Sequence, residues 1–436
     1  MSHSHAKYLV VVLFFLGGSA LAQTGATSNP TNGRENNPYS KFGIGELWNS
    51  NNTVLRGMAN TTSAYENPYE VNSDNPASYS FLQRTTFEAG AMGSTRTING
   101  AGETYTSGTA TIAYLNIGIP VTKNSGLCFG FKPYSKIYYN MADSASSSPI
   151  GQYARSYFGE GTINYAYLGY AAKYKGLSIG VNGGYMFGNL VATTAVLPID
   201  TAATNRSYAT EFANYNRIGG LYWKAGIMYE TKIDSDYTLR IGGTFTMQQN
   251  LSEQLNSFQI STFNFGDTLV NDTAATNNGQ RGKLRLPMSY SIGVMLAKND
   301  KWGLAVDYTA TKWSGFGSTP DSTLTSGIGS ASYKISVGGE YTPNFNDIRK
   351  YSARITYRAG LYYGHDYLQI NNTNIPYYGI TAGASLPFRR SVSHLHTSID
   401  VGRLGMTTNG LIQETYIRFT VGVSFNDRWF IPRKYD

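Results

Sequence analysis

His394 and His396 stand two residues apart, so an extended strand turns both rings to one face, with Ser398 and Asp400 following on it. Two imidazoles and a carboxylate could ligate a metal or act as a base, but no convincing third ligand lies nearby. Two His on one strand face read better as hydrogen-bonding groups of a polar lumen. Beyond residue 22 the only other histidine is His365. Asp267, Asn271 and Asp272 fall in a polar stretch, and their spacing does not match the EF-hand loop. GIGEL, at residues 43–47, lacks the Lys and the strand-to-helix setting of a phosphate loop. No Ser/His/Asp set can be aligned, because such partners meet only in space. Cys128 is the single cysteine, which excludes an intramolecular disulfide and a Cys-based metal cluster. The expectation is a protein without catalytic residues, metal or cofactor.

The elements that would carry these residues are exported strands. Residues 1–22 contain Lys7, an apolar run over 9–16 and the small-x-small site Ala20-Leu21-Ala22, the layout of a cleaved secretory signal. The run is too short to cross a bilayer as a helix. The chain holds 48 Gly, 35 Tyr and 20 Phe with 14% charged residues, which suits twisted strands and tight turns better than helices. Its formal charge of +8 is scattered, so attraction to outer-membrane lipid headgroups is expected and nucleic acid is not.

Residues 415–425, TYIRFTVGVSF, show the strand pattern most plainly. Thr415, Ile417, Phe419, Val421, Val423 and Phe425 fall on one side, and Tyr416, Arg418, Thr420, Gly422 and Ser424 on the other. The stretch is about as long as a tilted strand needs to span a bilayer. The same division recurs at 239–248, 353–363 and 394–401, and about fourteen such stretches follow residue 84. Short turns such as Tyr174-Lys175-Gly176 alternate with long polar stretches at 142–161, 192–214 and 250–283, expected to be loops. One face for lipid and one for a polar lumen predict an all-β fold, a transmembrane antiparallel β-barrel of about fourteen strands in the cell outer membrane. Tyr222-Trp223, Trp302, Trp313 and Tyr377-Tyr378 near strand ends are expected in the interfacial girdles.

The expected organisation is a signal peptide (1–22), a flexible lead (23–36), an N-terminal hatch or plug (37–84), the barrel (85–425) and a periplasmic aromatic-basic tail (426–436). Within the plug, RGMANTTSAYENPYEVNSDNPAS at 56–78 resembles the hatch of the FadL-type outer-membrane transporters. There a Gly/Ala-rich lead precedes an Asn-Pro-Ala turn before the first strand; here that turn is Asn75-Pro76-Ala77. DYTATKWSGF, with Asp307, Tyr308, Trp313 and Ser314, and VGGEY at 337–341 followed by ITYRAGLYY look similar too. The resemblance covers residues 37–425. It implies a fourteen-strand barrel plugged by its hatch, and passive uptake of hydrophobic or amphipathic small molecules with sideways release at a kink in the third strand. Pro133 interrupts the third expected strand and removes a ladder N–H; it marks either that opening or an ordinary bulge.

Two features depart from the family pattern. The expected lumen face carries Arg240, Asp307, Lys334, Glu340, Arg354, Arg358, Asp400 and Arg418, charges of both signs that are costly unless paired with one another, the hatch or water. The last strand is followed by NDRWFIPRKYD, whose Trp429, Phe430 and Arg433 either fold under the barrel or dock a partner. Both features suit a rival reading, a structural or adaptor barrel in an outer-membrane protein assembly or secretion machine, with outer-membrane or periplasmic protein partners. Pro133 and the hatch suit transport.

Overall fold

The computed structural model describes residues 34–428, apart from 49–50, 101–102, 148–150, 200–208, 266–267, 299–300, 348 and 390. The signal peptide, nearly all of the lead, and Trp429, Phe430 and Arg433 lie outside the described residues, as do the side chains of Asp267, Asn271 and Asp272.

From Thr85 onward the alternating residues form a closed antiparallel barrel of fourteen strands. They are β1 (Thr85–Gly100), β2 (Glu103–Thr122), β3 (Ser125–Ser147), β4 (Gly151–Tyr174), β5 (Leu177–Pro198) and β6 (Ala209–Lys232). β7 runs Tyr237–Thr246 and resumes as Gln249–Phe265, both parts pairing with β6. β8 runs Thr268–Leu286 and Met288–Lys298, interrupted at Pro287, which has no N–H to give the ladder. Then come β9 (Trp302–Lys312), β10 (Ser332–Tyr341), β11 (Thr356–Ile370), β12 (Thr373–Pro387), β13 (His394–Gly405) and β14 (Gln413–Asp427). β14 pairs with β1 from Asp427↔Thr85 to Gln413↔Asn99, which closes the ring.

The faces follow the sequence. On β14, Ile417, Phe419 and Phe425 are exposed, while Tyr416, Thr420 and Ser424 are buried. On β7, Ile241 and Phe245 are exposed and Thr244 and Thr246 buried. The outer surface is therefore an apolar band for lipid, and the polar side chains point inward.

The long connections differ from expectation. Residues 142–161 and 250–283 are not open loops: β3 and β4 stay paired out to Ser147↔Gly151, and β7 and β8 out to Phe265↔Thr268. Beyond the lipid both faces of a strand meet water, so the hydrophobic alternation fades while the backbone ladder continues. The rim is consequently tall on one side, since β4 and β6 each have 24 residues and β10 has 10. The tight turn between β4 and β5 has positive φ at both Lys175 (48°) and Gly176 (86°), the geometry that matches strand twist.

Among the described residues of 35–84 the sheet gains only the two-residue strand Glu46–Leu47, which pairs with β3. Helix α1 (Thr53–Gly57), capped by the Asn52 side chain on the Leu55 N–H, packs against β12 and β13. The 3-10 turn Pro76–Phe81 packs against β4 and β5 across the ring. The segment therefore touches strands on opposite sides of the ring.

Candidate functional site: the lumen and the segment within it

The Asn75-Pro76-Ala77 turn has a local cause. Asn75 Oδ1 accepts the Ala77 N–H at 3.0 Å, which caps the 3-10 turn, and Pro76 occupies its first position, where no N–H is needed. The Asn75 amide donates to Ser63 O at 2.5 Å, and Ser178 on β5 donates to Ala77 O at 2.6 Å. The wall admits this turn because it lacks side chains there. A Cβ at Gly180 would stand 2.5 Å from the Pro76 backbone, and one at Gly226 would stand 2.8 Å from Pro76 Cδ.

Five of the eight charges expected in the lumen hold this segment. Arg240 pairs with Glu66, and also with Glu230 on β6 at 2.8 Å. Asp307 on β9 accepts the backbone N–H groups of Thr62 (2.6 Å) and Ser63 (2.7 Å). Lys334 donates to Ala59 O at 2.6 Å, Arg358 faces Glu70 at 3.9 Å, and Arg418 pairs with Glu46. Glu340 and Asp400 are bound by the wall instead, Glu340 accepting from Arg358 at 3.1 Å and Asp400 from Tyr362 at 2.7 Å. Arg354 lies outside the strands of the ring. It belongs to the 3-10 turn Tyr351–Arg354 that precedes β11, because the strand begins only at Thr356.

Two further sockets lie outside the eight charges expected in the lumen. Arg96 on β1, fully buried, binds Glu35 (2.8 Å), Glu46 (2.7 Å) and Glu414 of β14. Asp74 lies between Lys132 of β3 and Lys224 of β6, 3.2 Å from each. Their inward parity was available, since Arg96 shares the face of Glu88 and Ser94; their partners were not. Burial works to raise the Glu46 carboxyl, yet Arg96 and Arg418 outweigh it and hold the group at about 2. Burial likewise opposes ionisation of Asp74, and the two lysines overcome it, leaving the carboxyl well below its usual range. Glu66 and Glu70 are raised, because burial outweighs the attraction of Arg240 and Arg358.

Above the segment remains a cavity of about 230 Å³, lined among others by Glu46, Asn60, Lys334, Tyr362, Asp400 and Arg418. Its walls carry charges of both signs and phenol groups, so it is not a greasy tunnel. His396 is engaged on both ring nitrogens, with Ser385 Oγ at 2.7 Å and Ser424 Oγ at 3.0 Å, and His394 lies against it with ring centroids 5.8 Å apart. His396 thus acts as an inward-facing hydrogen-bonding group, while His394 stacks on it.

Pro133 marks a real irregularity. The β3–β4 register slips between Pro133 and Ser135, a bulge at Tyr134. The β2–β3 ladder runs only from Thr122↔Ser125 to Leu115↔Phe131. Past that point β3 is met by the N-terminal segment, where the short strand Glu46–Leu47 pairs with Lys136 and Ser135. Trp48 N–H donates to Tyr134 O (2.8 Å) and Asn37 N–H to Tyr138 O (2.9 Å). Asn36 reaches both sides of the seam, its N–H donating to Ser107 Oγ of β2 at 2.8 Å and its side-chain amide to Asn140 O of β3 at 3.0 Å.

A family model described as BamG matches residues 5–436. No curated protein matches the chain significantly. Among solved structures, a Pseudomonas aeruginosa FadL homologue is similar with TM-score 0.59 and 12% identity, covering 86% of this chain and 98% of its own. The Pseudomonas putida toluene transporter TodX gives TM-score 0.57 and 18% identity, covering 89% and 99%. The Ralstonia pickettii toluene transporter TbuX gives TM-score 0.54 and 12% identity, covering 86% and 98%. At these identities the likeness establishes a shared fold.

Proposed function

This chain belongs to the BamG family, and we propose that it works as a plugged outer-membrane barrel, a structural or adaptor subunit of an outer-membrane protein assembly or secretion machine. The observation that carries this reading is the use made of the inward charges: Arg240, Asp307, Lys334, Arg358 and Arg418 each bind the chain's own N-terminal segment. Buried pairs of this kind are costly to break, because each leaves an uncompensated charge. A segment held by so many of them is a fixed plug rather than a gate. The barrel then contributes its surfaces.

The test is purification from native membranes in mild detergent, with mass spectrometry of what travels with the barrel. Stoichiometric outer-membrane or periplasmic proteins support the adaptor. A lone barrel carrying a bound lipid-like molecule overturns it.

One observation favours a second reading, passive uptake of hydrophobic molecules with lateral release. Past Phe131, residues 36–48 bridge the β2–β3 seam near Pro133. Under this reading the segment withdraws from β3 and ligand leaves sideways. A Trp48→Cys/Tyr134→Cys pair in a Cys128→Ser background, oxidised to a disulfide, would then abolish hydrocarbon uptake by whole cells, and reduction would restore it. Uptake that is absent, or indifferent to the lock, removes this reading.

A further inference from the structure

The turn between β10 and β11 stands apart on the short-turn end of the barrel. The last ladder pair before it is Tyr341↔Tyr357, which a two-residue turn could join, as Lys175-Gly176 joins Tyr174 to Leu177. Residues 342–355 instead make a folded excursion. Asn344 N–H donates to Ala353 O at 2.8 Å, and Asp347 Oδ1 accepts the N–H groups of Arg349 (2.8 Å) and Lys350 (2.7 Å). The Tyr351 hydroxyl donates to Pro387 O at 3.1 Å, which fastens the turn to the neighbouring β12–β13 turn.

What this folded turn displays is apolar and basic. Phe345 is 47% exposed and Tyr351 45%, with Phe388 of the neighbouring turn at 38%. Around them stand Arg349 and Lys350, both exposed, Arg354, half-buried, and exposed Arg389. Asp347 is the one carboxylate in the sequence of the turn, and it is spent on its own backbone. An aromatic serving the lipid interface would stand on the outward face of a strand, as Tyr341 and Tyr357 do. Phe345 and Tyr351 lie beyond the last ladder pair, in the turn that joins the strand ends.

We propose that Phe345, Tyr351, Arg349, Lys350, Arg354 and Arg389 form a docking surface for a periplasmic protein that presents an apolar socket ringed by Asp and Glu. The assignment rests on the adaptor reading above and gives it a place on the molecule. The aromatic pair supplies the buried anchor, and the four cations set orientation and partner choice.

The test places a photo-cross-linking amino acid at Phe345 in the full-length protein in cells, with a control at Ile199 on the opposite end. The expected result is one protein adduct at 345 only, joined through a peptide rich in Asp and Glu. Arg349→Glu with Lys350→Glu should cut that adduct about tenfold while the barrel keeps its heat-modifiable gel shift. Reversing the partner's acidic residues to Lys should restore it. An adduct indifferent to charge reversal, or a lipid adduct alone, overturns the proposal. Should the wild-type barrel co-purify proteins stoichiometrically while 345 yields none, the surface is wrong and the adaptor reading stands. Should it co-purify none, both fall.

Discussion

Asp307 and Ser63 are 244 residues apart in sequence, yet the Asp307 carboxylate accepts the Ser63 N–H at 2.7 Å, and the same oxygen also accepts Thr62 N–H. A wall strand thus binds backbone, which no side-chain substitution within the segment can remove. Asp307→Ala would leave two buried N–H groups unsatisfied, at about 1–3 kcal/mol each. The expected outcome is a lower unfolding temperature and new protease cleavage near residues 57–63, with the gel shift of the barrel retained.

Asp74 between Lys132 and Lys224 gives a sharper test. Asp74→Ala leaves two half-buried ammonium groups facing each other, a loss of roughly 1–3 kcal/mol. Adding Lys132→Met and Lys224→Met should recover most of it, because the unpaired charges go with their partner. Denaturant titration of the single and triple variants measures the difference.

The acid limb of stability should carry the mark of Glu46. Its ordinary value is 4.5, and in the barrel it is held at about 2. The unfolded chain therefore takes up this proton first as pH falls. Its contribution is complete above 4.5 and is lost as pH drops towards 2. Glu66 and Glu70 have the opposite sign: burial raises them, so they subtract stability as pH rises above 4.5. Wild type minus Glu46→Gln isolates the first effect, and that difference should shrink steadily between pH 4.5 and pH 2.

Gly180→Val places a side chain where the Pro76 backbone passes. Overpacking of this kind costs about 1–3 kcal/mol. Because β5 pairs on both sides of this position, the expected result is a barrel that still resists detergent while residues 74–81 become accessible to protease. A variant as protected as wild type would mean that the turn is not held against this wall.

The membrane-facing part of the fold was legible because one physical rule governs it. Ile417 and Phe419 must meet lipid, Thr420 and Ser424 must not, and the period of 2 follows. The rule lapses above the bilayer. There β7 and β8 continue as a hairpin of Asn, Ser, Thr and Gln that reads like a loop. Inward charges such as Arg240 and Arg418 could be found by parity, but Glu66 and Glu46 could not be named as their partners, since a single sequence does not contain the register that brings them together. Arg354 escapes the rule for a smaller reason: a 3-10 turn delays the start of β11 by a few residues, and parity fails before a strand has begun.

The contacts of residues 35–84 have a consequence for the order of assembly. The segment touches strands on opposite sides of the ring, and Arg96 of β1 gathers Glu35, Glu46 and Glu414 of β14 at the closing seam. A folded helix and its flanking turns cannot be threaded into a ring whose hydrogen bonds are already complete. In the plugged barrel proposed above, the N-terminal segment is then the mandrel on which the wall is wound, with the last strand locking onto a residue that already holds the mandrel in place.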